Sequence, residues 1–250
     1  MTFKDYFSGH AADYSHYRPR YPSELFDGLS QLCQAHDSVW DCATGNGQAA
    51  IALTSHFRQV MATDGSAAQL SQAPAHPQVS YQVAVAEDSG LAENQFDLVT
   101  VAQAVHWFDR EAFYREVRRV LKPGGVLAIW CYGKPMLANP ASDKLLEQYY
   151  GHTLDDFWTP ERRLVEDGYR TLAFPFSEIP ASPYTMQVSW TLPQLMGYLY
   201  TWSATQRYIA AHQINPLEKL AEQLADAMAT AQERDRFSVS WPINLRVGRL

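Results

Sequence analysis

Several things are scarce in this chain, and each shortage removes a class of function. Among 250 residues there are three cysteines, Cys33, Cys42 and Cys131, widely spaced and odd in number. They offer neither a disulfide framework nor a paired-cysteine metal signature, and the eight histidines are scattered too, so no metal is expected. The thiols read as small hydrophobes of a cytoplasmic protein. No run of about 18 apolar residues exists to span a bilayer. The opening Met1 to Phe7 lacks the apolar core of a secretory signal. A cytoplasmic chain with no membrane partner is therefore expected. Positive charge is also short: 20 Lys and Arg stand against 27 Asp and Glu, for a net charge of −7. Backbone contacts to DNA or RNA need clustered basic residues. The runs Arg118-Arg119 and Arg162-Arg163 are too short for that, so no nucleic-acid partner is expected.

What is present is a regular alternation. The apolar fraction of 46% is ample for a core, and the length suits one domain. Aromatics crowd the first 22 residues, and a helix with Leu25, Phe26, Leu29, Leu32 and Cys33 on one stripe follows. Strands are expected at Ser38–Cys42, at a segment ending at Thr63, at Val79–Val83, at Phe96–Ala102 and at Val126–Cys131. Between them run helical patterns, one carrying Ala50, Leu53 and Phe57. The clearest is capped by Asp109 and striped by Phe113, Val117, Val120 and Leu121. Lys122-Pro123-Gly124-Gly125 is expected to stop it. Such alternation implies a parallel sheet with helices on both faces. Beyond Gly133 the pattern loosens. A strand at Tyr184–Trp190, helices near Leu192–Ala211 and Pro216–Ala229, and a β-rich end holding Pro242 are expected, that proline at an edge or bulge.

Chemistry concentrates at the first two strand ends. Gly45-Asn46-Gly47-Gln48-Ala49-Ala50 fits the dinucleotide fingerprint G-x-G-x-x-[GA], and Asp64 lies 19 residues past Gly45, as a ribose acid would. Asp41 speaks against a diphosphate, because a helix start that cradles phosphate favours donors over a carboxylate. Two acids suit a cationic nucleoside with a ribose diol and no phosphate.

At this point a family resemblance is plain. Asp41-x-Ala43-x-Gly45-x-Gly47 resembles the first motif of class I S-adenosylmethionine-dependent methyltransferases, with alanine where that motif has its first glycine. Val85-Ala86-Glu87-Asp88, Gln103-Ala104-Val105-His106-Trp107-Phe108 and Arg119 to Gly125 resemble its later segments. Phe7 to Tyr14, Tyr17-Arg18-Pro19-x-Tyr21-Pro22, Ala104 to Asp109 and Thr201-Trp202-Ser203 are similar to the trans-aconitate methyltransferase-like branch. The resemblance implies a Rossmann-like α/β fold of the methyltransferase type 11 kind. In it, a mostly parallel twisted sheet has an antiparallel last strand, and a small helical cap is inserted after strand five. The expected divisions of this single domain are a helical cover over 1–34, a cofactor-binding core over 35–133, and a cap with final strands over 134–250.

The resemblance also implies S-adenosyl-L-methionine as cofactor and a small-molecule acceptor, a carboxylate being one class, handled by a monomer or homodimer. Cofactor contacts are expected from Tyr17, Arg18, Asp41, Ala43, Gly45, Gly47, Asp64, Gly65, Ala86, Glu87, Gln103 and Ala104. Arg18 would pair with the methionine carboxylate. His106 and Trp107 follow strand four, where ligands of parallel sheets collect, as a base and as an aromatic face for a cation. Substrate contacts are expected from Tyr14, Trp107, Tyr132, Tyr198, Trp202 and Arg207. Tyr198 and Trp202 share a helix face, which reads equally as pocket wall or as plain core. A nicotinamide-dependent oxidoreductase and a non-catalytic cofactor-binding module are the rival readings.

Overall fold

A computed structural model describes residues 19–231 and 235–250. Alternating side chains explain its layers. Along β1 (Ser38–Cys42), Val39 points to one side of the sheet and Trp40 and Cys42 to the other. Along β4 (Phe96–Ala102), Leu98 opposes Val99 and Val101 in the same way. In β5 (Leu121–Tyr132), Val126, Ala128 and Trp130 face one core, and Leu127, Ile129 and Cys131 the other. A strand buried on both faces needs this continuous apolar run. The first core is closed by α1 (Ser23–Gln31) through Leu25, Phe26 and Leu29, and by α2 (Gln48–Leu53) through Ala49, Ala50 and Leu53. The second is closed by α4 (Arg110–Val120) through Phe113, Val117 and Val120. Burying one such side chain fully is worth roughly 1.5–3 kcal/mol.

The sheet completes as β2 (Gln59–Asp64) and β3 (Val79–Val83) beside β1, with β4 and β5 on its other side, all parallel. The long β9 (Phe237–Arg249) then pairs antiparallel with β5. β6 (Met136–Leu137), β7 (Ser177–Ile179) and β8 (Tyr184–Trp190) also pair with β9, giving a nine-stranded sheet. A short α3 (Ala67–Leu70), capped by the Ser66 hydroxyl, follows β2. The fold is the expected Rossmann-like arrangement, mostly parallel strands with antiparallel last ones and helices around them.

Three expectations are corrected. Lys122 to Gly125 do not separate helix from strand. They belong to β5 and take up a register shift between the pairs Phe96–Leu121 and Leu98–Val126, with Gly124 at φ +76°. Pro242 sits in an interior strand, but on the edge shared by β5 and β6 it falls in a gap. The β5 pairing runs only to Ile243, and the β6 pairing covers Val239 and Ser240. The missing N–H is tolerated there. The single helix expected over 192–211 is two, α7 (Leu192–Tyr200) and α8 (Ser203–His212). Trp202 is extended (ψ 132°) so that its ring can be buried, and the Thr201 hydroxyl donates to the Tyr198 carbonyl at 2.6 Å.

Between β5 and β9 the chain also forms α5 (Pro140–Gln148), α6 (Arg162–Glu166) and α9 (Leu217–Ala231). These, with α7 and α8, make the cap. Among the described residues no helix is long and apolar enough to cross a membrane.

Candidate active site

All parallel strands deliver their carboxyl ends to one edge, and there a cavity of about 1280 Å³ opens. Its floor is the turn after β1, the tips of β2 and β4, and the loop after β3. Pro19 and Tyr21 lie against one side, and Pro160, Glu161 and Leu164 of the cap against another.

Backbone conformation shapes the floor. Ala43, Gly45 and Gly47 all have positive φ (53°, 58° and 80°). Glycine adopts this freely; alanine at 43 holds it at a cost of roughly 1–2 kcal/mol. Asp64 fastens the turn: Gly45 N–H donates to its Oδ2 and Ser66 N–H to its Oδ1, each at 2.8 Å. Its carboxylate lines the cavity beside Gly65. Asp41 is placed differently from the expectation. It is 0% exposed and is not a wall residue; it lies buried while the neighbouring Ala43, Thr44 and Gly45 form the wall. The Thr44 and Thr100 hydroxyls donate to its two carboxylate oxygens. Burial pushes its pKa up to about 6, while those hydroxyls pull it down. Gly47 is not on the wall either. A Cβ there would meet the Tyr81 hydroxyl at 2.7 Å, and at φ +80° any residue other than glycine would be strained.

Ala86 and Glu87 line the cavity after β3. Glu87 Oε1 accepts the Asp109 N–H at 2.8 Å, which joins that loop to the start of α4. The loop is anchored below by buried Glu116, which takes the Ser89 N–H at 3.0 Å and is held by the Arg119 guanidinium. Gln103 is on the wall with Ala104, at φ 56°. Its amide is paired in both directions with the Tyr132 backbone, donating to the carbonyl at 3.0 Å and accepting the N–H at 2.8 Å. It therefore locks the tips of β4 and β5 together.

His106 and Trp107 form a 3₁₀ turn on the cavity wall with ring centroids 4.7 Å apart. His106 is 7% exposed, and its Nδ1 is 2.7 Å from the Tyr169 hydroxyl. Burial, with the Arg162 charge nearby, pushes its pKa down to about 3, so the ring is neutral at physiological pH. Tyr132 is on the wall. Tyr198 and Trp202 are not. They are 1% and 5% exposed, packed with Trp190, Trp241, Tyr149 and Tyr150 in the cap core. The Tyr198 hydroxyl accepts from Trp241 Nε1 at 3.2 Å. Arg207 is also off the wall, donating to the Phe157 carbonyl at 3.1 Å. Tyr14, Tyr17 and Arg18 lie outside the described residues.

Sequence reasoning missed Gln48, Tyr21, Gln69 and Glu161 among the wall residues. The Gln48 amide holds the incoming chain, donating to the Pro19 carbonyl at 3.2 Å and accepting the Tyr21 N–H at 3.3 Å. Gln48 stands inside the glycine-rich motif and Tyr21 in the Tyr-Pro pair; nothing near Glu161 marked it. Among the described residues no group of three or more potential metal ligands gathers.

A parallel sheet with a glycine turn, an acid at the next strand tip and a deep cavity above them defines a nucleoside-binding enzyme fold. Comparison with known proteins supplies the family. Residues 40–129 match the methyltransferase domain family. A Dictyostelium discoideum protein provisionally named a methyltransferase is 30% identical over 245 residues, covering 96% of this chain and 93% of its own. An uncharacterized methyltransferase of Schizosaccharomyces pombe is 26% identical over 236 residues, covering 90% and 89%. A solved structure from Anaeromyxobacter dehalogenans, provisionally described as a type II methyltransferase, has TM-score 0.87 and 41% identity. It covers 93% of this chain and 98% of the other. The chain belongs to the class I S-adenosylmethionine-dependent methyltransferases.

Proposed function

We propose that the cavity binds S-adenosylmethionine and directs its methyl group to a small-molecule acceptor. The observation that carries this reading is the double use of Asp64. Its carboxylate commits the Gly45 amide, the donor a diphosphate would need, and keeps an acid on the wall where a ribose diol would lie. The wall residues fit the group: Asp64 for the diol, Ala86 and Glu87 beside the base, and the turn from Ala43 to Gly45 against the amino-acid part. Tyr17 and Arg18 are assigned to cover it. Gly65, Gln103 and Ala104 complete the wall, while Asp41 and Gly47 act by shaping the turn from beneath.

When bound, the cofactor supplies an already activated methyl group. The chain's own work is therefore alignment and exclusion of water, and orientation of two bound reactants is worth about 7–11 kcal/mol. His106, held neutral and tied to Tyr169, is better suited to positioning Trp107 and the acceptor than to accepting a proton. The resemblance to the trans-aconitate methyltransferase-like branch suggests a carboxylate acceptor. In this chain that reading leans on Arg18, since Arg207 is turned toward the Phe157 carbonyl. Residues 1–34, 35–133 and 134–250 serve as cover, cofactor core and acceptor-side cap of a single domain.

A labelled-methyl screen over small amines, phenols and carboxylic acids tests the proposal. Label appearing in an acceptor with release of S-adenosylhomocysteine is expected. Tight binding without transfer to any acceptor would leave a non-catalytic binding module, and reduction or oxidation of a substrate with NADH would establish the oxidoreductase reading.

A further inference from the structure

The support behind His106 carries an inference about the reaction, resting on the methyltransferase reading above. His106 is buried and stands on the cavity wall beside Trp107. Its Nδ1 is taken by the Tyr169 hydroxyl at 2.7 Å, and its Nε2 has no hydrogen-bond partner among the described residues. Among those residues, the polar side-chain atoms lacking both a partner and accessible surface belong to Tyr114, Trp130 and Ser142. His106 Nε2 is not one of them, so the surface it keeps opens on the cavity. A buried polar group left unpaired at a cavity wall is placed to meet a ligand.

Tyr169 decides which nitrogen of the ring carries the hydrogen. Its side chain is fully buried, and His106 Nδ1 is the one acceptor its O–H reaches among the described residues. A hydrogen on Nδ1 would leave that O–H buried with nothing to donate to, at the full cost of desolvation. Burial holds the phenol well above its ordinary range, so it keeps its proton. Burial and the Arg162 charge also keep the ring from taking a second one. The hydroxyl therefore donates to Nδ1, and the neutral ring carries its hydrogen on Nε2. The fold accepts strain to place this tyrosine. Gly168 and Tyr169 both have positive φ, 64° and 62°, which a bulky side chain seldom adopts. Arg246 of β9 holds the turn, donating to the carbonyls of Tyr169 at 2.9 Å and Leu172 at 2.6 Å. Such strain persists only where the surroundings over-determine it, and it gathers at working sites.

We infer that Tyr169 is a positioning residue for methyl transfer, fixing His106 as a hydrogen-bond donor that orients the acceptor through its Nε2–H. His106 then takes no proton from the acceptor, because Nε2 already carries one and Nδ1 faces Tyr169. Long-range proton–nitrogen NMR of the protein with isotope-labelled histidine, at neutral pH, tests the first half without any acceptor. His106→Gln identifies the signal among the eight histidines. The wild type is expected to show a pyrrole-like Nε2 and a pyridine-like Nδ1. Tyr169→Phe should move His106 toward the Nδ1–H form, with S-adenosylhomocysteine affinity unchanged by calorimetry. On the acceptor found by the labelled-methyl screen, the same variant should lower kcat/KM about tenfold. An Nδ1–H ring in the wild type would overturn the inference, and that reading needs no variant to fold. A tautomer unmoved in Tyr169→Phe, or a moved tautomer with unchanged kcat/KM, would overturn it too. A loss of S-adenosylhomocysteine affinity in Tyr169→Phe would contradict it by making Tyr169 a support of the cofactor site. Failure of the wild type to bind S-adenosylhomocysteine would instead bring down the methyltransferase reading, and the role in methyl transfer with it.

Discussion

The strand-tip half of the molecule and its cap put their most conspicuous side chains to opposite uses. In the first half, polar side chains at the ends of β2, β3 and β4 stitch neighbouring loops together while still facing the cavity. Asp64 holds the glycine turn, Glu87 holds the start of α4, and Gln103 holds the tip of β5. In the cap, the conspicuous tyrosines and tryptophans turn inward on one another. Tyr198, Trp202, Trp190 and Trp241 form a packed core and leave the cavity wall to Pro160, Glu161 and Leu164. Parallel-sheet topology dictates where ligands collect; no comparable rule applies to a helical insertion. A motif at a strand end therefore locates a site, whereas an aromatic pair at helical spacing does not.

This contrast yields predictions of graded size. Tyr198→Ala should destabilise the fold most, by about 3–5 kcal/mol, because it empties a fully buried site and removes the acceptor for Trp241 Nε1. S-adenosylhomocysteine affinity should barely move. Denaturant titration and calorimetry on the same variant check both halves, and an affinity loss at unchanged stability would make Tyr198 a pocket residue after all.

Next come two buried titratable groups, Asp41 and His106. A carboxyl raised to about 6 adds stability below about pH 4 that is lost as pH rises through 6, so wild type should lose about 3 kcal/mol relative to Asp41→Asn across that window. An imidazole lowered to about 3 acts in the opposite sense. Stability is lost as pH falls from 6.5 toward 3, so wild type should weaken relative to His106→Gln on acidification. Stability curves against pH for the three proteins should diverge in opposite directions. Parallel curves would show that neither group titrates as described.

Asp64→Ala should weaken S-adenosylhomocysteine binding about 100-fold, near 2.7 kcal/mol. It should also cost about 1–3 kcal/mol of stability, because the Gly45 and Ser66 amides lose their acceptor. The smallest effect is expected from Ala43→Gly, which relieves a left-handed alanine and should raise stability by up to about 1 kcal/mol with little change in binding. A loss of stability there would mean that the methyl group is packed and not strained.

The unequal legibility of the two halves has physical causes. The five parallel strands and their helices were readable because apolar residues recur along most of them at strand or helix spacing, even though β3 itself is no more than half-buried, and the slot at Gly45 and Asp64 followed from strand ends alone. The burial of Asp41 was not readable. An acid at a strand end looks the same whether it faces a ligand or is closed off by Thr44 and Thr100, hydroxyls contributed from the turn and from a strand 59 residues away. The break between α7 and α8 was hidden for a similar reason. Helical spacing persists through Trp202, and it is the burial of that ring against Tyr149 and Tyr150 that unwinds the chain. Glu161 carried no local mark, since it reaches the wall only because the cap folds back over the turn at His106.

Calorimetric titration of the wild-type protein with S-adenosylhomocysteine, and separately with NADH, tests the central assignment most directly. Saturable one-to-one binding of S-adenosylhomocysteine that weakens about 100-fold in Asp64→Ala, with none for NADH, is the predicted result. Binding of NADH at this cavity, or S-adenosylhomocysteine affinity indifferent to Asp64, would contradict it.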